Sequence, residues 1–187
     1  MNKAVRHLKT IITHKKFVFL NCVKAGIPIR GLLHDLSKFS PTEFVESVKY
    51  YQGNDSPIKA CKKANVYSKA WMHHKGRNSH HYEYWQDNFD QGGNPLQMPY
   101  KDALELVCDY ISAGMAYGKK NFTYQREYEW WQKKISKPIA MHPQTKIFVD
   151  MMLKEMAREN SNDVLKYGKQ IYYLAEKEYK HKNKIKT

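Results

Sequence analysis

The chain has 187 residues, 42% of them hydrophobic, with nine histidines, three cysteines and a net charge of +14 when histidine is neutral. This length and apolar content suit one core-forming domain and exclude a disordered chain. The longest plainly apolar run, Phe17-Val18-Phe19-Leu20, is far too short for a membrane span. Cys22, Cys61 and Cys108, with no Cys-x-x-Cys, argue against a disulfide framework or a thiolate zinc site. No signal-peptide core precedes a small-residue cleavage site, so a cytoplasmic protein without membrane contact is expected. The positive charge would draw nucleic acid, nucleotides or another acidic partner; its plain alternative is solubility.

The periodicity predicts an all-α chain. A first helix is expected from about Lys3 to Ala25, with Val5, Leu8, Ile11, Ile12, Phe19, Cys22 and Val23 on its apolar face, Gly26 as its cap and Pro28 as its stop. A short helix follows from Ile29 to Phe39. Ser40-Pro41-Thr42-Glu43 reads as a capped start with Glu43 completing a capping box, for a helix to about Tyr51. The next helix is expected over Ile58 to Lys75. Residues from Gly76 to Pro99, rich in glycine, proline, Asn and Asp, read as loop. Helices over Tyr100 to Tyr117, Tyr124 to Lys134, Gln144 to Arg158 and Ser161 to Lys182 complete the chain. Residues 1–120 are expected to form a metal-binding helical domain. Residues 121–187 form a helical extension packed on it, whose aromatic residues would serve packing or homo-oligomer assembly.

Gly31-Leu32-Leu33-His34-Asp35-Leu36-Ser37-Lys38-Phe39 carries the chemistry. An imidazole next to a carboxylate offers a divalent cation one N and one O ligand, and Lys38 could hold an anionic oxygen. Four more histidines, His73, His74, His80 and His81, fall within nine positions, a clustering that points to metal or phosphate binding. His14 and His7, one heptad apart, read as histidines at the margin of the first helix's apolar face. Asp109 follows Cys108 in Leu106-Val107-Cys108-Asp109-Tyr110 and, taken alone, reads as a surface or helix-pairing carboxylate.

In chain order His14, His34-Asp35, His73 or His74, His80-His81 and Asp109 resemble the signature of the HD-domain superfamily, helical metal-dependent phosphohydrolases. His34-Asp35-Leu36-Ser37-Lys38 looks like its His-Asp-x-Gly-Lys motif, with Ser37 in the glycine position. The stretches His-Asp-Leu-Ser-Lys-Phe-Ser-Pro-x-Glu-Phe and Asn-x-His-His-x-Glu-Tyr-Trp are also similar to those of a small uncharacterised bacterial and phage family. The resemblance covers roughly residues 10 to 115. The six residues from His74 to His80 are a tighter spacing than in two-metal cyclic-dinucleotide hydrolases, and no Gly-Tyr-Pro follows.

The resemblance implies an HD-like helical bundle with a cation on His14, His34, Asp35 and Asp109, and a second on His74, His80 and His81. One or two ions of Mn, Fe, Co, Ni or Zn suit these N and O ligands. Asp35, Lys38 and Asn78 would serve catalysis. Lys38, Arg77, Asn78 and His73 would bind a small phosphorylated substrate, expected to be a nucleotide, and Glu83 would orient a histidine. The expected activity is hydrolysis of a phosphomonoester or phosphodiester by activated water. The alternatives are a di-iron oxygenase acting on a small diol or phosphonate, a nuclease or binding protein for single-stranded nucleic acid, and a metal-binding domain without catalysis.

Overall fold

The computed structural model describes residues 2–53, 55–87 and 89–184. Among them lie α1 (Lys3–Lys24), α2 (Pro28–Leu33), α3 (Pro41–Tyr50), α4 (Pro57–Asn65), α5 (Lys69–Lys75), α6 (Tyr100–Gly118), α7 (Tyr124–Ile135), α8 (Pro143–Glu159) and α9 (Gly168–Lys184). The strands among the described residues are β1 (Gln86–Asp87) and β2 (Asn94–Pro95), a short antiparallel pair, so the architecture is an all-α bundle, as the periodicity predicts.

Proline opens α2, α3, α4 and α8, where its missing N–H costs no helical hydrogen bond. Gly26, at φ 76°, ends α1. Two helices expected as single elements are broken. After Leu33 the backbone leaves the helix at His34, Asp35 takes the left-handed conformation at φ 55°, and Leu36–Phe39 form a 3-10 turn. Aspartate tolerates that region better than most residues. The break is held by Lys15, whose Nζ donates to the carbonyls of Leu32 and His34 at 2.6 and 2.8 Å. The second break falls at Val66, with φ 68°. There Ser68 Oγ accepts from Trp71 N, and the Glu46 carboxylate accepts from Ser68 Oγ and the N–H groups of Lys69 and Ala70, so α5 gains its own N-terminus. The last expected helix also starts late: residues 162–167 form a 3-10 turn before Gly168 opens α9.

The buried stripe of α1 is His7, Ile11, His14, Val18, Asn21 and Cys22. Val5, Ile12, Phe19 and Val23, expected on the core side, are exposed. The histidines therefore sit at the centre of the buried face and not at its margin. That face packs on α6, where Asn21 Nδ2 donates to Ser112 Oγ at 2.9 Å. Gly31 lets α2 lie against α1, because a Cβ there would come within 2.6 Å of Cys22 Cβ.

Helix α6 is the axis of the core: every residue from Asp102 to Ser112 is buried. Leu104, Val107 and Ile111 join Val18 and Cys22 of α1, Trp131 of α7, Phe148, Met152 and Met156 of α8, and Ala175 of α9 in one apolar cluster. Trp131 also donates from Nε1 to Asp150 Oδ1 at 3.0 Å, whereas Trp130, Tyr167 and Tyr173 are exposed. No described helix is long and apolar enough to cross a membrane.

Glu127 of α7 is pressed against Gly114 of α6, which has no room for a Cβ. Burial, and then Asp109 nearby, push its carboxyl up from 4.5 to about 7. A raised carboxyl favours the folded state in its neutral form. That contribution is complete below pH 4.5 and is lost as pH rises through about 7. Glu127→Gln should therefore raise the melting temperature at pH 8.5 and leave it unchanged at pH 4.5, as measured by thermal unfolding of the metal-free protein. An equal shift at both pH values would refute this account.

Candidate metal centre

The break after α2 turns His34 and Asp35 inward, where four other elements meet them. His14 comes from α1, Asp109 from α6, His74 from α5, and His80 and His81 from the loop after α5. The Asp35 carboxylate stands between two groups. Its Oδ2 lies 3.1 Å from His34 Nε2, 3.9 Å from His14 Nε2 and 2.5 Å from Lys38 Nζ. Its Oδ1 lies 3.3 Å from His74 Nε2 and 3.4 Å from His80 Nε2. Asp109 Oδ1 closes the first group, 3.0 Å from His14 Nε2 and 3.4 Å from His34 Nε2. His81 Nε2 closes the second, 2.8 Å from His74 Nε2.

These atoms fit divalent cations. In His14, His34, Asp35 and Asp109, one ligand atom from each residue falls within 4.8 Å of the others, and the same holds for Asp35, His74, His80 and His81. Bonds of about 2.0–2.2 Å to a shared ion place its ligands about 3.4–4.2 Å apart, and the contacts of 3.0–3.9 Å in the first group and 2.8–3.4 Å in the second lie close to that range. Buried polar atoms are ordinarily paired. Here His14 Nε2, His34 Nε2, His80 Nε2 and both Asp35 oxygens are buried without a well-aligned hydrogen bond.

A second layer aims the imidazoles. The Nδ1 of His34 is 2.8 Å from Glu105 Oε1, and that of His80 is 3.4 Å from the same oxygen. Glu105 Oε2 accepts from Arg30 Nε at 2.6 Å, and the Arg30 guanidinium also binds Asp102 and Ser79. Glu43 plays the matching part for α5: its oxygens face His74 Nδ1 at 2.8 Å and His73 Nδ1 at 2.7 Å. A histidine donating from Nδ1 to a carboxylate presents the lone pair of Nε2, the arrangement a cation requires. Arg30 against Glu105 makes the third histidine–carboxylate group, His34, His80 and Glu105, a poor cation site.

The charges follow the geometry. Burial alone would raise the Asp35 pKa, but His34, Lys38 and His74 hold it well below the usual carboxylate range. Asp109 is held down likewise, through His14 and His34. Burial would lower His34, yet Asp35, Asp109 and Glu105 keep its proton on, so an entering cation displaces that proton. His81 is pushed well below its ordinary value by burial and by His80 and His74.

Of the residues expected at the site, His14, His34, Asp35, His74, His80, His81 and Asp109 are brought together, with Lys38 on Asp35. His73 instead faces Glu43. Asn78 is committed to the scaffold, donating from Nδ2 to His74 O at 2.7 Å and Ser37 Oγ at 2.9 Å; Ser37 thus ties the His-Asp turn to α5. Arg77 is exposed and does not line the cavity beside the histidines. Glu83 pairs with no histidine among the described residues; the orienting carboxylates are Glu43 and Glu105, which the sequence reading did not select. Glu43 makes only half a capping box: its N–H donates to Ser40 Oγ at 3.4 Å, while its carboxylate serves the histidines. The sequence signal for Glu105 was the Asp102, Glu105, Asp109 spacing, which puts three acids on one face of an otherwise apolar helix.

Fold and site define an all-α protein with a buried histidine and carboxylate centre of the kind that can hold metal ions. Residues 3–155 match a family of unknown function, DUF5662, and the chain belongs to that family. No curated protein and no solved structure matches the chain.

Proposed function

We propose that the chain is a metal-dependent hydrolase of organic phosphate esters. The observation that carries this reading is the pair of facing ligand groups that share Asp35, whose Nε2 and carboxylate atoms converge, with Nε2 of His14, His34 and His80 buried without a well-aligned hydrogen bond. The resemblance of His34-Asp35 and the later histidines to the HD-domain superfamily supports it. Mn, Fe, Co, Ni or Zn suits the N and O donor set. Bound there, such ions would acidify water and offset charge on phosphoryl oxygens. Lys38 lines the cavity next to Asp35, half-buried, and stays protonated because the negative charge of Asp35, and then of Asp109, outweighs its partial desolvation. It would donate hydrogen bonds to a phosphoryl oxygen. The water oxygen forms the new bond to phosphorus, the bond to the organic oxygen breaks, and the alcohol departs with a proton. Glu43 and Glu105 keep the imidazoles in register during turnover.

The test is elemental analysis of the tag-free protein followed by phosphate release from a panel of phosphomonoesters. The expected result is about two transition-metal ions per chain and metal-dependent turnover. Lys38→Ala should keep the metal and lose most of the turnover, by about 10²-fold or more. A metal-free protein that also fails to take up Mn, Fe or Zn would overturn the reading. The pair of ligand groups sharing one carboxylate also favours a second reading, a di-iron oxygenase acting on a small diol or phosphonate. Oxygen consumption by the iron-loaded protein would identify it.

A further inference from the structure

The cavity that opens on the centre has a volume of about 180 Å³. At about 30 Å³ per water in the liquid, that is room for about six waters, well under the ~300 Å³ at which sites for drug-sized ligands begin. One wall is a single stripe of α1: His7, Thr10, Ile11 and His14, at i, i+3, i+4 and i+7. His14 faces Asp35 and Asp109. His7 lies two turns away, about 10 Å along the axis at ~1.5 Å per residue. It is buried, its Nδ1 has no hydrogen-bond partner, and its ring rests against Tyr51 with centroids 5.0 Å apart. Ser47 of α3, also buried, lines the cavity with it.

Beyond this wall lies a larger, open groove of about 680 Å³ that carries Arg6, Lys9 and Lys120. Both hollows border Thr10, whose Oγ1 is hydrogen-bonded to the Tyr51 hydroxyl at 2.6 Å. Thr10 Oγ1 also donates to Arg6 O at 3.1 Å. An occupant of the inner cavity can lie against His7 without entering the groove, whereas a nucleoside would exceed the volume of that cavity.

We propose that His7, with Thr10 and Ser47, forms a polar subsite for the hydrogen-bonding organic end of a small phosphate ester whose phosphoryl group sits at the Asp35 centre. A nucleotide is too large for it. The proposal rests on the phosphate-ester reading above and narrows its substrate to compact, hydroxylated phosphates. Helix α1 acts as the ruler, because the same face carries a cation-facing histidine at one end and an unpaired histidine at the other.

The experiment is calorimetric titration of the full, Mn-loaded chain with inorganic phosphate and the non-hydrolysable phosphonate analogues of glycerol 3-phosphate and AMP (named below by their parent esters), for the wild type, His7→Leu and Ser47→Ala. Metal content and circular dichroism are measured on each sample. The wild type should bind glycerol 3-phosphate about tenfold more tightly than phosphate, and AMP no more tightly than phosphate. His7→Leu should abolish the preference while leaving metal content and phosphate affinity unchanged. Ser47→Ala, the smaller perturbation, should reduce it about threefold. AMP binding as tightly as glycerol 3-phosphate, or a preference that survives both substitutions, would overturn the subsite while phosphate binding stands. Failure of phosphate itself to bind the Mn-loaded protein would overturn the phosphate-ester reading, and the subsite with it.

Discussion

Asp35→Asn should strip the centre of both ions, whereas His14→Ala and His81→Ala should each remove only one. Asp35 is the residue common to both ligand groups, with Oδ2 turned to His14 and His34 and Oδ1 to His74 and His80. Asparagine is the informative replacement because it tolerates the φ of 55° at this position, where alanine would add about 1 kcal/mol of backbone strain. It keeps the shape but removes the negative charge that neutralises Lys38. Breaking a fully buried pair costs about 3–5 kcal/mol. Here the cost is smaller, because the Lys38 side chain retains 27% of its exposure and can turn to water. The variant should therefore keep its helical circular dichroism while elemental analysis falls from about two ions per chain to nearly none. Retention of one full equivalent would show that Asp35 does not bridge.

Glu105→Gln should weaken both ions by about 10–100-fold, although Glu105 lies behind the atoms that would touch them. Its Oε1 faces Nδ1 of His34, in the first group, and of His80, in the second, while Oε2 is fixed by Arg30. Glutamine offers one acceptor where two are used. Its amide must present a donor either to the Arg30 guanidinium or to the His34 N–H, and one imidazole loses its aim. Glu43→Gln is the contrasting case. Among the cation-facing imidazoles Glu43 holds that of His74, so only the second ion should loosen. Competition with a chelator, resolving two binding steps in each variant, measures both effects. If both substitutions weakened the same single step, or neither changed any, the carboxylates would not orient the histidines as described.

The HD resemblance named the residues that the structure gathers round Asp35 because the signal lay in residue types that are scarce elsewhere. A chain with nine histidines that places four of them within nine positions, and another beside an aspartate, leaves few candidates for a centre. The layer behind them was not legible. Glu43 and His74 are 31 residues apart, and Glu105 and His34 are 71 apart. A glutamate on a helix reads alike whether water or an imidazole faces it. Arg77 and Glu83, chosen because they adjoin the histidine run, fall away from the centre, since proximity along a loop does not set direction.

By itself the sequence determined the all-α class, most helix starts, through Ser-Pro and similar caps, and the inventory of potential cation ligands. These are local properties: a cap or a periodicity is decided within a few residues. The tertiary structure alone decided that the histidine stripe of α1, and not its more apolar flank of Val5, Ile12 and Phe19, faces α6. It also decided that the chain leaves the helix at His34-Asp35, so that one carboxylate lies between two groups. Both outcomes come from burying polar atoms that need partners. The orientation that wins is the one that brings Asp109 to His14, Glu43 to His73 and His74, and Glu105 to His34 and His80, a set of pairings that summed hydrophobicity along one helix does not contain.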